Sequence, residues 1–118
     1  MTSRLSAVVV DCAAPQRMAS FWCEVLGYRV TDVDDEGVEI SGPEGSVPVL
    51  FLKVPEGKSV KNRVHLDVRA ADHTQADELA RLIALGATEV DIGQGRQTWY
   101  VLADPEGNEF CLLSDLMP

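Results

Sequence analysis

Imidazole, carboxylate and thiol side chains are the groups of this chain able to hold a metal ion or move a proton, and several fall on alternating positions of β-like segments. His65, Asp67 and Arg69 project from one side of an extended segment, Glu109, Cys111 and Leu113 from one side of a second, and Ala7, Val9 and Asp11 from one side of a third. If those sides face one hollow, His65, Asp67, Glu109, Asp11 and Cys111 make a cluster that either holds a metal or serves as an acid/base set without one. Each residue also has a plainer role open to it. His65 suits a hydrogen-bonded structural position, Glu109 an exposed strand start, Asp11 the cap of a helix beginning near Pro15, and Cys111 a small core position. Trp99 and Tyr100 alternate on a strand, so one of them faces a ligand, and Trp99 is the candidate. Arg96, beside a glycine-rich loop, meets an anionic group or stays solvated. His73 reads as a surface residue.

The elements that must position these groups are marked by periodicity. Met18, Phe21, Trp22, Val25 and Leu26 have the spacing of a helix with one buried face over Pro15 to Leu26, with Pro15 in its first turn and Gly27 at its exit. Asp72 to Leu85 repeats the pattern, with Ala76, Leu79, Ala80 and Ile83 on one stripe, Asp72 or Thr74 as N-cap and Gly86 past the end. Phe21 and Trp22 read as core. Strands are expected over Leu5 to Val10, Tyr28 to Val33, Val38 to Ser41, Val47 to Val54, Val64 to Val68, Ala87 to Ile92, Thr98 to Ala103 and Glu109 to Leu113. Turn residues fall between them at Asp34 to Gly37, Gly42 to Gly45, Gly93 to Gly95 and Asp104 to Gly107. Each half therefore reads β-α-β-β-β. Leu-Gly closes both helices and Pro-Glu-Gly recurs in both halves, at Pro43 and at Pro105, which points to duplication.

The chain has 118 residues and 46% hydrophobic content, enough for one domain with one core. Its 10 basic residues against 19 acids leave a net charge of −9, which argues against nucleic acid and anionic membrane surfaces as partners. Three cysteines without close spacing fit neither a disulfide framework nor a zinc ribbon, so reduced thiols in a cytoplasm are expected. The apolar stretch Leu5 to Val10 stops at Asp11, too short for a signal-peptide core or a membrane span.

The segments Val8 to Pro15, Phe21-Trp22, Leu26-Gly27, Arg63 to Val68 and Asp104 to Phe110 together resemble the vicinal oxygen chelate superfamily, and within it the small glyoxalase-like and bleomycin-resistance-like proteins. The resemblance spans nearly the whole chain, and the Asp-Pro-Glu-Gly-Asn-Glu turn is its most specific piece. It implies an α+β fold of two βαβββ modules, about residues 4–54 and 63–116 joined by a linker at about 55–62, curling a mixed sheet around a cleft within a single domain 1–118. It also implies a homodimer. In metal-dependent members each module supplies two ligands, and the matching second-module positions are His65 and Glu109. The first-module positions hold Ala7 and Val47, or Pro48 after a one-residue slip, none of which binds metal. The resemblance thus admits a divalent metal, Zn, Ni, Mn or Fe, on an incomplete set, and equally no metal. Binding of a small organic molecule in the cleft, without metal, is the first expectation. A metal-dependent lyase, isomerase or dioxygenase is the second, and a metal-free enzyme using His65 and Glu109 as acid and base is the third.

Overall fold

The computed structural model describes residues 1–93 and 98–114. Its elements run β1 (Val8–Cys12), α1 (Pro15–Leu26), β2 (Arg29–Val33), β3 (Gly37–Ser41), β4 (Val49–Lys53), β5 (Leu66–Val68), α2 (Gln75–Leu85), β6 (Thr88–Glu89), β7 (Tyr100–Ala103) and β8 (Glu109–Leu112). The chain separates into two compact units, Met1–Gly57 and Lys58–Pro118. Each holds one helix and an open four-stranded mixed sheet, ordered β1-β4-β3-β2 in the first and β5-β8-β7-β6 in the second. The outer pairs β1·β4 and β5·β8 are parallel and the other pairs antiparallel. The two βαβββ patterns expected from the sequence thus share one topology.

In the first unit, Val38 pairs with Phe51 and Ile40 with Val49 across β3 and β4, so four β-branched or aromatic side chains share one face. All four are buried, and α1 packs against these strands with Met18, Ala19, Phe21 and Trp22 buried on its inner side. Phe21 and Trp22 meet edge to face, their ring centroids 5.3 Å apart. Each such large side chain contributes about 2 kcal/mol by leaving water. Pro15 occupies the first turn of α1, as its fixed φ favours. The N-cap position falls on Ala14, whose side chain makes no capping hydrogen bond. Asp11 therefore does not serve as the cap, because β1 retains it as a strand residue paired with Leu52.

The second unit differs from expectation along α2. The helix starts at Gln75, with the hydroxyl of Thr74 accepting the Asp77 N–H at 3.1 Å. Leu82 and Glu78 are buried while Ala76, Ala80 and Ile83 are exposed, so the inward stripe runs through Glu78 and Leu82 rather than through the alanines. A buried carboxylate holds that place because Arg81 donates to both of its oxygens, at 2.7 and 2.8 Å, and His73 Nε2 lies 2.5 Å away. The start of α2 is tied to the end of β8 by the Gln75 amide, which donates to the carbonyls of Leu112 and Leu113. On the sheet, Leu102, Phe110 and Leu112 are fully buried. Both helices end on a glycine in the left-handed region, Gly27 at φ 69 and Gly86 at φ 119. Among the described residues, no helix is long and apolar enough to cross a membrane.

Candidate functional site

β5 and β8 are parallel neighbours whose register sets Asp67 beside Cys111, between the pairs Leu66–Phe110 and Val68–Leu112. Paired positions project to the same side of a sheet, so Asp67 and Cys111 lie opposite the buried Phe110–Leu112 face. His65, just before β5, brings its Nε2 to 3.2 Å from Asp67 Oδ1. One donor atom each from His65, Asp67 and Cys111 lies within 4.8 Å of the others. His65 and Asp67 are exposed and Cys111 is buried. Burial raises the pKa of the Cys111 thiol, and the charge and hydrogen bond of Asp67 raise it further, against a lesser opposing pull from Lys61. Asp67 thus neighbours both the imidazole and the thiol. The combination of nitrogen, oxygen and sulfur donors, two on adjacent strands and one on the residue just before β5, fits a divalent cation.

Glu109 opens β8 two residues before Cys111 and is engaged otherwise. Lys58 Nζ and the Asn62 backbone N–H each donate to its carboxylate at 2.9 Å. Burial raises its pKa, but the Lys58 and Asn62 hydrogen bonds outweigh that and leave the carboxyl below its ordinary value. The Asn62 amide also donates to Asn108 Oδ1 at 2.9 Å. Just upstream, buried Asp104 accepts the N–H groups of Glu106 and Asn108, which shapes the turn that aims β8. His65, Asp67 and Cys111 are therefore brought together, while Glu109 fastens the segment before β5 to the start of β8.

Of the other candidates, Asp11 is an exposed residue of β1 in the first unit, and Trp99, just before β7, is 37% exposed. Arg96 lies outside the described residues, as do Gln94 and Gly95 of the expected turn. Sequence reasoning treated Lys58 and Asn62 as linker and missed their grip on Glu109, and no periodic signal marks either residue. It also missed that both ring nitrogens of His73 are engaged, Nδ1 by Asp72 at 2.7 Å and Nε2 by Glu78. The signal available for that was the Glu78–Arg81 spacing one helical turn apart.

Comparison with known proteins agrees with this architecture. The family described as glyoxalase-like domain matches residues 7–113. No curated protein sequence is a significant match to this chain. Similar solved structures include a glyoxalase/bleomycin resistance protein/dioxygenase family enzyme from Burkholderia phytofirmans PsJN, 21% identical over 93% of this chain and 97% of that one, with a TM-score of 0.71. The fosfomycin resistance protein FosX from Mesorhizobium loti is 18% identical over 98% of this chain and 96% of its own, with a TM-score of 0.71. FosX from Listeria monocytogenes, complexed with Mn(II) and sulfate ion, is 13% identical over 97% of this chain and 91% of its own, with a TM-score of 0.70. At these identities the likeness shows the fold alone.

Proposed function

We propose, proceeding from the fact that this chain belongs to the family of glyoxalase-like domains, that it binds a small oxygen-bearing organic molecule through a divalent cation held by His65, Asp67 and Cys111. The observation that carries this reading is the gathering of three chemically different donors within 4.8 Å, on β8, on β5 and on the residue just before β5. It moves the balance away from the metal-free pocket that the loss of first-module ligands suggests. A metal-bound relative supports it, since the Listeria FosX structure is a complex with Mn(II).

A bound cation supplies Lewis-acid polarisation of a carbonyl, enolate or similar oxygen. The residues of the chain do the rest. His65 offers one ring nitrogen, oriented by the Asp67 carboxylate at 3.2 Å. Asp67 supplies negative charge, and Cys111 supplies sulfur after giving up its proton. Glu109 is assigned the task of holding residues 58–62 against β8, since Lys58 and Asn62 take its oxygens. Trp99, more than a third exposed beside β7, is assigned to ligand contact. The reading takes residues 1–118 as one glyoxalase-like domain working as a homodimer in the cytoplasm. Cysteines without a disulfide and exposed Val9, Val30 and Val33 on the first sheet support that setting.

The test compares the metal content of purified protein with that of His65→Ala, together with thermal shifts on adding Zn, Ni, Mn or Fe. At metal concentrations about 100 times the dissociation constant, the parent gains roughly 5 °C or more and the variant gains little. A parent that carries no metal and shifts with none of the four sinks the reading.

A further inference from the structure

We infer that the site selects thiophilic cations of the zinc class, Zn2+ or Co2+, over hard cations such as Mn2+ and Mg2+, with Cys111 as the residue that decides. This deepens the function proposed above and rests on it. Two features of the second sheet carry it, one that delivers sulfur and one that withdraws an oxygen donor.

Sulfur is delivered by backbone register. Cys111 is the direct β8 partner of Asp67 on β5, so its Sγ reaches the donor cluster without movement of either strand. Phe110 and Leu112, buried to 1% and 0% exposure on the other side of the strand, fix which way Cys111 points, since a one-residue slip would turn both of them out of the core. The oxygen donor withdrawn is Glu109. It alternates with Cys111 along β8 and would otherwise supply a hard carboxylate to the same side of the sheet. Its Oε2 is instead 2.9 Å from the Lys58 ammonium and its Oε1 2.9 Å from the Asn62 N–H, with the side chain 9% exposed. Recruiting Glu109 to a cation means breaking both contacts and stranding a lysine. What remains among the described residues is one imidazole, one carboxylate and one thiol. Sulfur ligands favour Zn2+ and Co2+, whereas Mn2+ and Mg2+ favour all-oxygen or oxygen and imidazole surroundings. Three protein donors leave coordination room for an oxygen of the bound molecule.

The experiment uses the full chain, reduced and stripped of metal, titrated with Co2+, Zn2+ and Mn2+. The Co2+ complex of the parent shows a sulfur-to-cobalt charge-transfer band in the near ultraviolet, which is absent in Cys111→Ser and retained in Glu109→Gln. By competition with a chromophoric chelator, Zn2+ binds at least about 100-fold more tightly than Mn2+, and the ratio falls at least about tenfold in Cys111→Asp. The band requires no variant to be seen, so a substitution that fails to fold leaves the question decidable. Tight Co2+ binding without that band, or an unchanged Zn2+ to Mn2+ ratio in a folded Cys111→Asp protein, overturns the selectivity while leaving a metal-binding protein. Failure of every cation to bind overturns the underlying reading as well.

Discussion

Asp67 is the residue on which the chemistry of the second sheet turns, because it touches both His65 and Cys111. Burial first, and the charge and hydrogen bond of Asp67 after it, raise the Cys111 pKa and favour the thiol form, which makes Cys111 a poor nucleophile in the metal-free protein. Asp67→Asn removes the charge and lowers the thiol pKa, so alkylation of Cys111 by iodoacetamide near pH 8 accelerates several-fold, read residue by residue by mass spectrometry. An unchanged rate at Cys111 would show that burial alone sets the thiol. Strand alternation made the shared face of His65 and Asp67 legible from the sequence, and that of Glu109 and Cys111 likewise. The register joining the two strands was not legible, since it is a pairing across more than forty positions set by the burial of Phe110 and Leu112. The grip of Lys58 and Asn62 on Glu109 was hidden for a similar reason, being made of hydrogen bonds from a segment with no repeating pattern.

At the scale of the element, the beginning of α2 is built from charges that titrate in opposite directions. The hydrogen bond from Arg81, aided by His73 and opposed by burial, lowers the Glu78 pKa from its ordinary 4.5, while Glu78 first and Asp72 second raise that of His73 from its ordinary 6.5. The Glu78 contribution is complete above its ordinary value and is lost as pH falls through the lowered one. The His73 contribution is complete below 6.5 and is lost as pH rises through the raised one. The melting temperature of the parent therefore exceeds that of His73→Ala by the most near about pH 5.5, and the gap narrows toward about pH 9. A gap that stays constant across that range sinks the argument. The eight strands and two helices of the described residues were legible as runs of β-branched residues or helical spacings between turn residues. The inward face of α2 was not, because the burial of Glu78 depends on Arg81 and on a histidine outside the helix, and hydrophobic spacing alone gives such a residue to solvent.

For the whole molecule the dominant quantity is charge. A net −9 over 118 residues sets acids against one another in the folded state, and four of the 10 basic residues, Lys53, Lys58, Lys61 and Arg63, fall in one short stretch instead of being spread among the acids. Screening relieves that repulsion, so the melting temperature rises by a few degrees between about 0.01 and 0.15 M NaCl at neutral pH. A fall over the same interval would mean that local ion pairs, such as Lys58 with Glu109, outweigh the general repulsion. The placement of β8 has a consequence for synthesis. It lies between β5 and β7 in the second sheet, yet it is the final strand of the described chain to leave the ribosome. Until it emerges, β5 has no partner and β7 shows an open flank, the condition in which nascent chains recruit foreign strands. The first unit meets no such delay beyond residue 53, because its own central strand β4 is already made. Proofreading of the second unit by chaperones and proteases therefore falls on the segment that supplies β8, the one that carries Cys111.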